Sequence, residues 1–452
     1  MNQETISLAN PSIIAIFGLW HQASVTAACL AGLGHTIRGT DDDPRAIEAL
    51  NAGRAPVLEP GLEPLLQENL RAGRLSFSAD YAAALAGAAY VYIAIDTPVG
   101  DDDEPDLSTV LEAAHQIARH ASGPFTLIVT AQVPVGTTER IKTLIQRENS
   151  ALRIEACYVP EFLRLGVAVD LFRNADRFVI GSDRRETAER VADLYRPFGR
   201  PIVLTDLRTA EMGKHAANAF LAASVSFINE IANICEETGA DALQVAQILK
   251  LDRRIGPFAF LSPGMGFAGG TLGRDIRTLQ GLGRRFERPT PIMDAVMTVN
   301  ASRAGLVRTR LQKRYPSLRD VQVGVLGLTY KAGTSTMRRA ISLEVIDELA
   351  REGVTVKAFD PLARLDEVAG LPPFQSCATP LAVAQGSDAL VLMTEWAGIQ
   401  ELDWNGMRAA MRQPIFIDSR NLLDPARMEA AGLDYSGIGR GGLMPDVAED
   451  SP

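Results

Sequence analysis

The sequence is short of cysteine, histidine and positive charge, and each shortage removes a class of function. Four cysteines in 452 residues, Cys29, Cys157, Cys235 and Cys377, stand far apart and form no CxxC pair. A disulfide framework is therefore not expected, and the four read as reduced, mostly buried thiols of a cytoplasmic protein. The five histidines show no ligand spacing, so no metal site is expected. A net charge of -10 argues against nonspecific binding to nucleic acid or to anionic membranes. A local cluster of Lys and Arg can still receive a phosphorylated ligand. No apolar run reaches the roughly 18 residues needed to span a bilayer. The opening MNQETISLANPS lacks the basic and apolar regions of a secretory signal.

What is present is ordinary for a globular chain: 46% hydrophobic and 22% charged residues. The length exceeds what one hydrophobic core organises. Ile13–Phe17, Thr36–Thr40, Tyr90–Ile95, Thr126–Thr130 and Phe178–Ile180 read as strands alternating with helical patterns such as 23–33 and 44–51. That alternation predicts a parallel, doubly wound sheet. Glu211–Thr238 keeps apolar residues at helical spacing without proline, which predicts one long central helix and a homodimer surface. A second strand–helix alternation begins near Val321, with VQVGVLGL, VTVKAFD, DALVLM and PIFIDS. The expected fold class is α/β, with two Rossmann-like domains joined by the long helix. The expected domains are residues 11–205, 206–305 and 318–440, followed by a disordered tail at 441–452.

The segment IIAIFGLWHQASVTAACLAGLGHTIRGTD has the layout of a dinucleotide-binding βαβ unit. A strand leads into Gly18, a helix follows, and the second strand ends at an acid, Asp41, placed for a ribose hydroxyl. In the usual GxGxxG turn the second glycine admits the pyrophosphate and the third lets helix and strand pack. Trp20 and Ala23 hold those two positions here. The indole would fill the pyrophosphate's space unless it swings outward. Gly264, Gly266 and Gly269 satisfy the same pattern literally, yet they follow no strand of a βαβ unit.

Several segments, in order, resemble the UDP-glucose/GDP-mannose dehydrogenase family and within it UDP-glucose 6-dehydrogenase. They are IEALNAGRAPVLEPGLEPLL, VPVGTTERI, PEFLRLGVAVDLF, DRFVIGSD, EMGKHAANAFLAASVSFINEIANICE, VGVLGLTYKAGTSTMR, DALVLMTEWAGIQELDW and IFIDSRNLLDP. The resemblance runs from about residue 13 to 440. It implies NAD as cofactor, a UDP-hexose such as UDP-glucose as substrate, and oxidation to the uronic acid by two hydride transfers. In that family a cysteine thiolate captures the intermediate aldehyde, and water releases the acid from a thioester. A soft nucleophile suits this step, because an alkoxide is scarce at neutral pH.

The resemblance assigns roles residue by residue. Where the family has GxGFGGxCxxKD, this chain has GMGFAGGTLGRD, residues 264–275. Thr271 therefore stands at the nucleophile position, Arg274 replaces a lysine and Asp275 is retained. Lys214 and Asn218 match residues that contact the reacting sugar and its oxyanion, and Glu161 matches a catalytic acid. Leu165 replaces a second acid, Val159 an asparagine, and Gln132 a threonine that holds water. On the cofactor side the matches are Gly18, Asp41, Thr97 with Pro98, and Arg338. On the substrate side they are Lys331, Arg420 and the loop Phe260 to Gly266, which matches a diphosphate-binding backbone.

Simpler readings stand beside these. Lys214 and Asn218 could be solvated helix surface, and Glu161 could cap a helix beginning at Phe162. Lys331 and Arg420 could form salt bridges at a domain interface. Thr271 reads as a turn residue and Trp20 as core filling. Three functions remain open: an NAD-dependent oxidoreductase acting on a UDP-sugar, a UDP-sugar-binding pseudoenzyme or regulatory partner of an active paralogue, and a different reaction on the same scaffold. The clustering of changes at Trp20, Gln132, Leu165, Thr271 and Arg274 favours the second and third.

Overall fold

The computed structural model describes residues 11–97, 106–268 and 270–440. The expected tail at 441–452 and Pro98 lie outside the described residues. The chain divides into two compact units, residues 1–217 and 218–452.

In the first unit eight strands form one sheet: β1 (Ile13–Phe17), β2 (Thr36–Thr40), β3 (Leu75–Ser78), β4 (Tyr90–Ile93), β5 (Phe125–Val129), β6 (Ile154–Tyr158), β7 (Phe178–Ser182) and β8 (Ile202–Thr205). Their order is β3-β2-β1-β4-β5-β6-β7-β8. Every pairing is parallel except β6 with β7, which is antiparallel. The order reverses between β1 and β4, the position where open α/β sheets take their ligands. Side chains alternate across β1: Ile14 and Ile16 enter one core, Ala15 and Phe17 the other. Both faces are thus covered by helices, and β5 is buried along its whole length.

The second unit carries β9 (Gln322–Leu326), β10 (Thr355–Phe359), β11 (Gln375–Ser376), β12 (Ala389–Leu392), β13 (Ile415–Asp418) and β14 (Asp434–Gly437). All pairings in this sheet are parallel, in the order β11-β10-β9-β12-β13-β14. Its switch point lies between β9 and β12. Val323, Val325 and Val391 pack on one face, and Leu326, Leu390 and Leu392 on the other.

The long helix spans Leu207–Thr238 and begins four residues before the expected Glu211. The reason is local. Asp206 accepts from Thr209 N at 2.9 Å and from the Thr209 hydroxyl, which satisfies orphan donors of the first turn. In the second unit its buried residues Ala219, Ala222 and Val225 pack with Phe267, Ile276 and Val296. Among the described residues no helix is long and apolar enough to cross a membrane, and no group of three acids, histidines or cysteines could hold a metal.

Candidate functional site

In the first unit β1 runs into Gly18, whose φ is +98°. A Cβ there would stand 3.0 Å from the Ala94 carbonyl oxygen, so both conformation and space require glycine. Trp20 ends the turn in an extended conformation, makes no side-chain cap, and precedes the helix His21–Gly32. The indole is 42% exposed. It is therefore not core filling; the ring faces outward, while its neighbours Leu19 and Ala23 are buried in the core. The helix is anchored by its own polar residues. Gln22 donates to Thr130 O at 2.9 Å and to the Thr130 hydroxyl at 2.7 Å. His21 Nε2 lies 2.7 Å from the Glu59 carboxylate.

Asp41 follows β2 and accepts from Asp43 N at 3.0 Å. Its counterpart in the second unit, Asp360 after β10, is used differently. Asp360 accepts from the N–H groups of Leu328, Thr329, Leu362 and Ala363 and from the Trp396 indole. Burial raises its pKa, but the backbone donors prevail and hold the carboxyl below its usual value. Asp360 closes its own turn, whereas Asp41 accepts from a single backbone N–H. Thr97 donates to Gln132 O at 3.0 Å, so Thr97 is tied to the strand-end loop that carries Gln132.

Lys214 is buried, not solvated. Its Nζ donates to the Glu161 carbonyl and sits 3.2 Å from the Glu161 carboxylate. The other Glu161 oxygen accepts from Leu163 N at 2.7 Å. No helix begins at Phe162; the next one starts at Ala168. Glu161 therefore closes a turn and pairs with a cation instead of capping a helix. The Phe162 ring has Lys214 Nζ 4.9 Å and the Arg177 guanidinium carbon 4.3 Å from its centroid.

In the second unit Asn218, also buried, donates to the fully buried Asp275. Thr271 is the first residue of the helix Thr271–Arg285 and is exposed, so it is a helix start, not a turn residue. Arg420 donates from Nε to Met393 O at 2.7 Å, meets Glu395 at 3.0 Å and reaches Tyr330 O at 3.4 Å. Lys331 Nζ stands 5.9 Å from the Tyr330 ring centroid. A Cβ on Gly264 would come within 3.3 Å of Ser419 O, which places the loop ending at Gly266 beside Arg420. The structure thus gathers Gly264, the Tyr330–Lys331 segment and Arg420. It leaves Phe260 exposed, and Arg338 on the outside, 3.3 Å from Glu367.

Sequence reasoning missed Glu59, His21, Gln22, Asp360, Asn300 and Arg303. Each acts through a partner at least 30 residues away or through backbone atoms, so no local spacing marks it. The available signal was position alone: His21 and Gln22 in the βαβ segment, Asp360 at the end of VTVKAFD and Glu59 inside VLEPGLEPLL.

Comparison with known proteins identifies the family. Residues 12–199 match the NAD binding domain of the UDP-glucose/GDP-mannose dehydrogenase family, 208–302 its central domain and 324–425 its UDP binding domain. The chain is 38% identical to a UDP-glucose 6-dehydrogenase of Pseudomonas aeruginosa, over 94% of this chain and 97% of that protein. It is 35% identical to UDP-glucose 6-dehydrogenase TuaD of Bacillus subtilis, over 94% and 93%. Among solved structures, a UDP-glucose dehydrogenase from Pyrobaculum islandicum superposes with a TM-score of 0.89 at 30% identity, covering 96% of this chain and 99% of that one. The chain belongs to the UDP-glucose/GDP-mannose dehydrogenase family.

Proposed function

We propose that the protein binds a UDP-hexose such as UDP-glucose and does not carry it through to the uronic acid. The observation that supports this is a contrast. Sugar-side groups are organised, with Lys214 on Glu161, Asn218 on Asp275 and Arg420 beside Tyr330, while the position assigned to the nucleophile is a hydroxyl, Thr271. An aliphatic hydroxyl stays protonated at neutral pH without a strong base. Glu161, the best candidate base by resemblance, is already engaged by Lys214 and Leu163 N. Phe260, Gly266 and Lys331 join Arg420 in this reading as contacts to the UDP moiety.

NAD would take its adenosine ribose at Asp41, after the Gly18 turn, and by resemblance Thr97 and Arg338 are further cofactor-side residues. Asp41 suits the ribose, whereas at the pyrophosphate Trp20, although its ring faces outward, replaces the glycine whose bare backbone the phosphates approach, so weakened binding is expected there. No hydride step is assigned on this ground. A homodimer formed through the central helix completes the reading. Phe220, Phe227 and Ile234, every seventh residue, remain exposed along it, Phe220 by 72%. Such a protein serves in the cytoplasm as a nucleotide-sugar binder, or as a regulatory partner of an active paralogue.

Calorimetric titration with UDP-glucose and with NAD separately tests this. UDP-glucose is expected to bind and to raise the melting temperature, by about 2.7 kcal/mol of stabilisation at a hundredfold excess over Kd. NAD is expected to bind weakly. No response to millimolar UDP-glucose would remove the substrate assignment.

A further inference from the structure

The loop from Gly264 to Phe267 is held from behind by side chains of its own unit. Gly264 N donates to Asn229 Oδ1 at 2.9 Å. Asn300 grips Phe267 at both ends of its amide, accepting from the N–H at 2.8 Å and donating to the carbonyl at 3.1 Å. Arg303 donates from Nε and Nη2 to the Gly264 carbonyl, at 3.1 and 2.8 Å, and from Nη1 to Asn233 Oδ1 at 2.7 Å.

Arg303 is 1% exposed, and every acceptor its guanidinium meets is neutral. Glu236, the carboxylate that attracts it most, is bonded instead to Arg310 and to Gly439 N. Burial pushes the guanidinium down to about 10, which still leaves it charged at neutral pH. A buried charge of this kind is costly unless something of opposite sign answers it.

The opposite face of the loop shows what could. In a trans peptide the C=O and the following N–H point in opposite directions. Arg303 draws the Gly264 carbonyl inward, so the Met265 N–H is aimed away from it. Among the described residues neither Met265 N–H nor Gly266 N–H has an acceptor. Gly266 has φ +85°, and a Cβ there would meet Asn300 Oδ1 at 2.4 Å. Consecutive N–H groups around a left-handed residue form a concavity suited to anions.

We propose that Arg303 is a positioning residue: it orients the Gly264–Met265 peptide and places a buried positive charge, to which no carboxylate is bonded, behind the Met265 and Gly266 amides, for the diphosphate of a bound nucleotide. This rests on the reading that a nucleotide sugar binds beside Arg420, and it adds a residue that never touches the ligand.

The test is calorimetric titration of the full chain with UDP and with UMP, using Arg303→Met and Asn233→Asp. Arg303→Met is expected to weaken UDP at least tenfold and UMP by a smaller factor. Asn233 is exposed, so Asn233→Asp should fold even if Arg303→Met does not. It gives the guanidinium a carboxylate while leaving the Gly264 clamp intact. UDP binding should then weaken roughly threefold to tenfold, an effect that shrinks at high salt. Equal losses for UDP and UMP would mean a merely structural role and overturn the inference, as would unchanged UDP affinity in Asn233→Asp. If the unmodified protein binds no UDP at all, the nucleotide-sugar reading fails first and the inference falls with it.

Discussion

His21 and Glu59, 38 residues apart in sequence, form a buried pair at 2.7 Å, and the same carboxylate accepts from Gly166 N and Ala168 N, each at 2.8 Å. One side chain thus joins the first residue of the helix after the glycine turn to the loop that follows Glu161. Three donors converge on a carboxylate with no exposure. Glu59→Ala would leave two backbone amides and an imidazole without their acceptor. The expected cost is about 3–5 kcal/mol, read as a lower urea midpoint for the transition of the first unit. Glu59→Gln keeps an acceptor and should cost less. Equal midpoints for the parent and Glu59→Ala would show that water replaces the carboxylate freely.

His35 gives a pH dependence whose sign can be worked out. The ring is buried, and burial lowers its pKa from the usual 6.5. Nδ1 accepts from Ser12 N at 3.1 Å, so a protonated ring would set two donors against each other. The unfolded chain therefore binds the proton more readily. Stability is complete above about pH 6.5 and is lost as pH falls from there toward the folded value, by at most about 1.4 kcal/mol per unit. His35→Asn retains an acceptor for Ser12 but cannot titrate. The stability difference between parent and variant should change below about pH 6.5 and stay constant above it. A constant difference down to pH 5 would count against the assignment.

Much of the fold was legible because buried strands and glycine turns leave local marks. Ile13–Phe17 and Thr36–Thr40 are read from the chain with the boundaries the structure has. The start of the long helix was misplaced because its cap, Asp206, precedes the apolar pattern by several residues. The antiparallel β6–β7 pair has no counterpart in the residue pattern, since neither IEACY nor FVIGS shows the strict alternation of a half-solvated antiparallel strand. Within the candidate site, identity was readable but orientation was not. Nothing in GLWHQA tells whether Trp20 faces in or out; only the structure shows it exposed between the buried Leu19 and Ala23. Likewise PEFLRLG suits a helix cap on paper, and the preference of Glu161 for Lys214, 53 residues on, appears only in three dimensions.

Trp20→Gly should tighten NAD binding, by roughly tenfold or more if the indole alone obstructs the pyrophosphate. Asp41 and Gly18 are untouched by the change, so the ribose contact and the turn remain. Calorimetry with parent and variant measures it directly. Tight NAD binding by the parent would mean that the outward ring already leaves the phosphates room.

The homodimer proposal predicts that the unmodified protein has twice the chain mass by light scattering at micromolar concentration. Phe220→Glu with Phe227→Glu places charge on the exposed stripe of the central helix without touching Ala219, Ala222 or Val225, which pack inside the unit. The double variant should be monomeric and keep its fold by circular dichroism. A monomeric parent would end the proposal.

The final expectation concerns chemistry: Thr271→Cys alone should not produce a uronate-forming enzyme. The position itself is favourable to a thiol. Thr271 begins a helix of 15 residues, and a cysteine there would have its pKa lowered by the amino-terminal dipole. Yet a thiolate completes only one step. The resemblance places a water-holding hydroxyl where Gln132 is buried, and a second acid where Leu165 stands. Lys214 is committed to both the carbonyl and the carboxylate of Glu161. Groups that act as one catalytic unit are strongly non-additive, so repairing one of several changes recovers little. A coupled NADH assay with UDP-glucose, followed by mass detection of the product, should show no uronate above background for either protein. Recovery in Thr271→Cys combined with Trp20→Gly, Gln132→Thr and Leu165→Glu, but in none of the single variants, is the pattern expected of a dismantled unit. Robust uronate formation by the unmodified protein would sink the reading and place the nucleophile elsewhere.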